Sequence, residues 1–464
     1  MNTKIYDVTD YGATCDRKLC TSGVQKAIDD CYAEGGGTVL FPRGVFVLST
    51  VFLKSGVHIV LSEGTEILGA PSFYDYAPEE KFEFPVYQDS SHTYFHCSMF
   101  VGENLTDISV TGKGVIDMRS VWDEDDVRKI VHRGPKCIAL KLCKNVKIDG
   151  ITVNNVTDLA IYFAGCENVE VGNVKMRTYI DGVSPDNSKN VYIHDCDIEA
   201  GDDAVVLKSS YNLNKVAYCE NVTVKNCKLK SRCNGIKFGT ESNGGFINVS
   251  IENVTVCETR FAGIAIESVD GAIVDGASFK NVAMTNVGTP IFVVIGERMR
   301  GPAGREIGKI RNVSFENVSA VGPYEPYKTI EWNYLSYVAK DDVQEPWNFG
   351  TGEGLNDGKS LTRDSVWQTS SGVYGLEGNY VENVSFKNVY FELSGGYKGE
   401  PPVAKEKMQD YPEVYVYGRI LPAKGIFFRY VKNLSLDNVK IKTLREDDRK
   451  DFIFDRCVSV ADKA

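Results

Sequence analysis

The sequence predicts an all-β fold, a right-handed parallel β-helix with an N-terminal capping helix and one long loop insertion. Two observations carry this. A phrase of Asn followed by Val or Leu recurs, at Asn104, Asn145, Asn168, Asn190, Asn221, Asn248, Asn312, Asn383 and Asn433. After each copy come short alternating runs such as Val169-Glu170-Val171 and Val191-Tyr192-Ile193, broken by Asn, Gly or Asp. Alternation over three to five residues means short strands and tight turns, and a period of 22 to 31 residues without helical patterning fits a β-solenoid. A leucine-rich repeat has a similar period but demands a leucine pattern that this chain lacks.

The elements follow in chain order. Residues 22–35 alternate apolar and polar side chains at helical spacing and end at Gly35, so they predict an amphipathic helix that covers the open apolar end of the solenoid. Gly37–Pro42 reads as the first strand. In the repeats, inward Val, Ile and Phe residues stack along the axis. The recurring Asn reads as a structural ladder at one corner, where its short side chain can bond turn backbone. From 322 to 380 the repeat disappears. This stretch holds Trp332, Trp347 and Trp367, three of the four tryptophans, and long solenoid insertions emerge from one face and are often functional. Its aromatics suit stacking on sugar rings, Trp332 among them; the alternative is a minor subdomain with its own small core. The whole of 1–464 is expected to form a single β-helix domain.

A net charge of −11 disfavours nucleic acid and anionic membranes as partners. No apolar run approaches the roughly 20 residues of a membrane span. The start, Met1-Asn2-Thr3-Lys4-Ile5-Tyr6-Asp7, lacks a leader's apolar stretch, and the expected location is cytoplasmic, or secreted or periplasmic if a leader has been removed. There are 13 cysteines; Cys227, Cys233 and Cys257 fall in repeats and read as small core residues. No Cys-x-x-Cys pair exists, so no zinc site is expected, and no cofactor. The Asn-x-Ser/Thr triplets arise from the repeat itself.

The chemistry concentrates in residues 181–203. Asp181 lies in Tyr179-Ile180-Asp181-Gly182, and Asp202 and Asp203 in Gly201-Asp202-Asp203. The local repeat advances 22 residues, from Asn168 to Asn190, so Asp181 and Asp202, 21 apart, are expected to stack almost directly on neighbouring rungs. Strands in a sheet lie about 4.8 Å apart. Carboxyls held that close suit glycosidic-bond hydrolysis: one protonates the leaving oxygen and another activates water.

These motifs resemble glycoside hydrolase family 28, the polygalacturonase and rhamnogalacturonan hydrolase family. The resemblance rests on Tyr11-Gly12-Ala13, Gly35–Pro42, Asp181-Gly182-Val183-Ser184-Pro185-Asp186-Asn187-Ser188, Gly201-Asp202-Asp203 with Lys208-Ser209, and Gly239-Thr240-Glu241-Ser242-Asn243-Gly244-Gly245. It covers most of residues 6–320. It implies a pectinase-type β-helix, an inverting mechanism, Asp202 as general acid, and Asp181 and Asp203 holding the water as base; a one-rung spacing instead matches the roughly 5–5.5 Å of retaining pairs rather than the roughly 6.5–9.5 Å of inverting ones, so spacing and resemblance point to different stereochemistry. The Gly-Thr-Glu segment is close to that of bacterial exo-acting members. The implied substrate is an oligosaccharide or polysaccharide, with Lys208, Asn234, Lys237, Glu241 and Glu267 as candidate binding residues.

Two departures stand out. The family's Gly-His-Gly phrase is replaced by Arg232-Cys233-Asn234-Gly235. Asn234 can hydrogen-bond a hydroxyl or orient an Asp but cannot titrate near neutral pH. Polygalacturonases carry Arg-Ile-Lys one turn further on to grip the uronic carboxylate; here Arg has become Ala265 and Lys has become Glu267. Arg–carboxylate recognition is bidentate and charge-assisted, so its loss predicts a neutral terminal sugar released by an exo-acting hydrolase. Three alternatives stay open: galacturonidase activity on uronic-acid chains, a β-helix lyase or epimerase, and a non-catalytic carbohydrate-binding β-helix. Loss of the cations counts against a lyase, and the retained carboxylates count against an inert scaffold.

Overall fold

The computed structural model describes residues 4–88, 90–122, 133–322, 370–406, 412, 414, 416–418 and 420–463. The chain forms two compact units, 1–228 and 229–464. Both are built from parallel β-ladders, as a β-helix requires, and the one α-helix among the described residues is Thr21–Ala33.

In the first unit that helix buries Val24, Ala27, Ile28 and Cys31 and turns Gln25, Lys26 and Asp29 outward, as an end cap should. Behind it the rungs repeat three short strands per turn. One rung comprises Lys136–Lys141, Lys144–Asp149 and Thr152–Val156; the next comprises Ile161–Ala164, Glu167–Gly172 and Lys175–Thr178. The third comprises Val183–Asp186, Lys189–His194 and Asp197–Ala200, and Val205–Ser209 opens the fourth. Parallel register puts Val146, Val169, Val191 and Val222 in one buried column. Period-2 alternation of each short strand makes this possible, since every second side chain faces the core.

The corners explain the recurring asparagine. Asn145, Asn168, Asn190 and Asn221 all adopt φ between 55° and 57°, a left-handed conformation that Asn tolerates better than most residues. Their side chains bond one another from rung to rung. Asn221 Nδ2 donates to Asn190 Oδ1 at 3.0 Å, Asn190 to Asn168 at 3.0 Å, Asn168 to Asn145 at 2.9 Å, and Asn145 to Asp107 Oδ1 at 2.7 Å.

The second unit repeats the device on longer strands. Gly245–Cys257, Ile273–Thr285, Lys309–Val321, Val381–Gly395 and Val431–Arg445 pair in parallel. Asn253, Asn281, Asn317, Asn388 and Asn438 occupy one left-handed column, with side-chain links of 2.9–3.1 Å from Asn281 onward. Inside, Phe279, Phe315 and Phe386 stack with centroids 5.1 and 4.8 Å apart. All 13 cysteines are free thiols; Cys227 is buried, while Cys233 and Cys257 are half-buried. Most of the predicted insertion, Trp332 included, lies outside the described residues; of its described part, Ser371–Tyr374 is a strand.

Candidate active site

The functional side chains of the first unit sit where the third strand of one rung turns into the first strand of the next. Three successive corners, Thr157–Ala160, Tyr179–Gly182 and Gly201–Ala204, follow one another along this edge. Ala160 N–H donates to Asp181 O at 3.0 Å, and Gly182 N–H donates to Asp203 O at 2.9 Å, so each corner is pinned to the next. Close packing requires glycine at two places: a Cβ on Gly182 would stand 2.4 Å from Ala204 O, and one on Gly201 only 2.0 Å from Tyr179 O.

Asp181, Asp202 and Asp203 converge here, each contributing a carboxylate oxygen to a group lying within 4.8 Å of one another. The stacking differs by one residue from the expectation. Val183 pairs with Val205, so the register partner of Asp181 is Asp203, 22 residues on, and Asp203 N–H donates to Asp181 Oδ1 at 3.2 Å. Asp202 precedes that pair and is half-exposed, whereas Asp181 and Asp203 are buried. Burial pushes the Asp181 carboxyl up to about 7; Lys208 pulls it back, while the charges of Asp202 and Asp203 add to the rise. Lys208 Nζ stands 3.6 Å from Asp181 Oδ2. A carboxyl poised near neutrality beside two others can give or take a proton at working pH, as hydrolysis of an acetal needs. The same three oxygens could also close on a cation.

Behind the trio lies a buried polar group for which no role was foreseen. Asp186, the register partner of Lys208, accepts from Ser210 N–H at 2.9 Å, Asn212 Nδ2 at 3.0 Å and Tyr162 Oη at 3.1 Å. Burial still raises it to about 6. Asp186 was visible within the Pro-Asp-Asn-Ser phrase; Tyr162 and Asn212 carried no spacing signal, because strand pairing and a loop excursion bring them in.

The remaining predicted residues fall in the second unit. Lys237 and Glu267 lie on adjacent first-face strands, Ile236–Ser242 and Ala262–Ser268, and Lys237 Nζ reaches within 3.8 Å of Glu267 Oε2. Both are buried, so the charge introduced at Glu267 faces a cation, which weakens the expectation that it repels an acidic sugar. Asn234 Oδ1 accepts from Ala262 N–H at 2.9 Å, giving it a structural duty on the next corner. Glu241 is buried and accepts from Thr240 Oγ1 at 3.5 Å. Sequence reading missed the pair beside it: Arg298 donates from Nε (3.0 Å) and Nη2 (2.5 Å) to buried Asp270, and from Nη2 to Thr240 O at 2.8 Å.

With this geometry in place, comparison with known proteins is direct. Residues 42–324, more than half of the chain, match the model of glycosyl hydrolases family 28. The chain is 24% identical over 345 residues to an exo-poly-alpha-D-galacturonosidase of Dickeya chrysanthemi, covering 63% of this chain and 57% of that relative. It is 26% identical over 339 residues to an exopolygalacturonase of Arabidopsis thaliana, covering 68% and 72%. The first of these relatives is thus matched over little more than half its length. Among solved structures, the hyperthermoactive exopolygalacturonase of Thermotoga maritima superposes with a TM-score of 0.69 at 19% identity, over 95% of this chain and 92% of that one; this likeness shows the parallel β-helix fold. On the strength of the family match, which spans the Asp181–Asp203 corner, the chain belongs to the glycosyl hydrolases of family 28.

Proposed function

We propose that this chain is an exo-acting galacturonidase, hydrolysing the terminal bond of acidic pectin-derived oligosaccharides with the Asp181–Asp202–Asp203 trio. The observation that carries hydrolysis is the convergence of three carboxylate oxygens within 4.8 Å. Half-exposed Asp202 is the group best able to meet a leaving oxygen, so it acts as general acid. Asp203 and Asp181, joined through the Asp203 N–H, hold the attacking water. The raised proton affinity of Asp181 makes it a stronger base than an ordinary carboxylate. Inversion at the anomeric carbon follows from the resemblance to the family. The terminal galacturonate and the exo mode are supported by the names of the sequence relatives and by the Gly239-Thr240-Glu241 segment.

A second reading, release of a neutral terminal sugar, is favoured by Ala265 and Glu267 at the positions of the family's uronate-binding Arg and Lys. One experiment separates the two. The enzyme is incubated with reduced-end-labelled oligogalacturonides and with pectic oligosaccharides ending in rhamnose, galactose or arabinose, and products are followed over time. The proposal expects monogalacturonate from the first product onward, one residue per cleavage. Turnover confined to neutral-ended chains would replace it with the second reading, and early mid-chain fragments would remove the exo assignment.

A further inference from the structure

We propose that Arg133 is a specificity residue for this hydrolase: it grips the carboxylate of an acidic sugar seated on the N-terminal side of Asp181. The inference rests on the galacturonide reading above and adds to it a cation that the family resemblance does not supply.

The placement is built by close packing. A Cβ on Gly134 would stand 1.8 Å from Val121 O and 1.9 Å from Thr157 Oγ1, so only glycine lets this segment press against the Thr157–Ala160 corner. Thr157 Oγ1 donates to Val121 O, closing the contact from the other side. That corner is one rung before the Asp181 corner and is bonded to it through Ala160 N–H.

The charges at this corner are unequal in exposure. Lys136 and Asp158 form a wholly buried ion pair at 3.1 Å, with the Tyr94 hydroxyl donating to Asp158 and the Tyr94 ring 3.2 Å from Lys136 Nζ. Each charge of that pair largely answers the other. Arg133 joins the group through Asp158, Nη1 3.8 Å from Asp158 Oδ1, and keeps 24% of its side chain exposed. Its charge reaches the active site, since it acts on Asp181 in the same direction as Lys208 does. A guanidinium offers a planar fork that matches a carboxylate with two parallel hydrogen bonds. The adjacent wall suits a pyranose: Trp122 packs edge-on against Tyr179 at 5.8 Å, and Ser120 Oγ fixes the Tyr179 hydroxyl at 2.9 Å, two residues before Asp181. An acidic sugar there would meet a cation and an aromatic edge together, which restores by another route the recognition lost at Ala265 and Glu267.

The test compares Arg133→Gln and Arg133→Lys with the parent on oligogalacturonides and on their methyl esters. Loss of a charge-assisted fork should raise KM for the free acids by about 10–100-fold in Arg133→Gln, with kcat changing less. The loss on the esters should be at least tenfold smaller, and Arg133→Lys should recover part of the acid-specific loss. Equal losses on acid and ester would make Arg133 a structural residue, and no loss on either would overturn the proposal as well. Should the parent hydrolyse no galacturonide, the functional reading falls, and calorimetric binding of digalacturonate then decides for Arg133. Weaker binding to Arg133→Gln than to the parent supports it; equal binding, or none by the parent, overturns it.

Discussion

Asp181 keeps a proton in the folded chain at pH values where an unfolded aspartate has lost it, because its burial removes the water that would solvate the anion. Lys208 at 3.6 Å offsets only part of that cost. Since its affinity is raised from 3.8 to about 7, the folded state binds more protons than the unfolded state across that interval. Stability from this group therefore falls as pH rises from about 4 to about 7 and levels off above it. Asp181→Asn removes the titration. The variant should gain on the order of 4 kcal/mol relative to the parent between pH 4 and pH 8, read as the change in their Tm difference. A Tm difference that stays flat with pH would show that Asp181 ionises normally. Asp202 carries the complementary prediction. If it protonates the leaving oxygen, Asp202→Asn should lose roughly 10²–10⁴-fold in kcat with the melting temperature kept, and near-parental turnover of an unactivated oligosaccharide would exclude it from proton transfer.

At the scale of an element, the corner does the positioning. Each asparagine in a ladder performs two tasks: it accepts a left-handed backbone and it bonds the rungs above and below. Asn281, with φ 55°, donates to Asn253 Oδ1 at 2.9 Å and accepts from Asn317 Nδ2 at 2.9 Å. The two tasks can be separated. Asn281→Gly keeps the backbone freedom and loses the bonds, costing about 1–2 kcal/mol. Asn281→Ala loses both and should cost about 1 kcal/mol more. Thermal unfolding of the two variants checks this; equal melting temperatures would mean that the left-handed backbone contributes nothing measurable. The same corner logic explains why Asp181 and Asp203 meet: parallel register fixes their spacing at one rung, and the backbone bond from Asp203 aligns the carboxylates.

For the molecule as a whole, the chemistry is that of carboxylates placed by a repeating scaffold. The trio's oxygens, within 4.8 Å of one another, lie close enough to influence each other's protonation or to hold a cation. The acid–base reading expects the first, so extensive dialysis against a chelator should leave kcat within about twofold of its starting value. Activity that disappears and returns only with one divalent metal would assign the trio a different role. At a net charge of −11 the chain would need a local cation to hold an acidic substrate of the kind proposed above, the part given to Arg133.

The recurring Asn-Val phrase determined the β-helix by itself, because a solenoid repeats one local solution and each copy writes the same period into the chain. The capping helix and the three aspartates were legible for a similar reason: both lie in short contiguous motifs. What depended on contacts between rungs was decided only by the tertiary structure. Strand register, which holds the full 22-residue repeat through the corner, paired Asp181 with Asp203 and left Asp202, 21 residues on, just before that pair. The Lys237–Glu267 pair weakened the simple charge argument at Glu267, because two residues 30 positions apart face each other across neighbouring strands. Tyr162, Asn212 and Arg133 gave no sign in the sequence at all. Tyr162 reaches its place through lateral pairing and Asn212 through a loop excursion, and linear periodicity carries no information about which side chains such paths bring together.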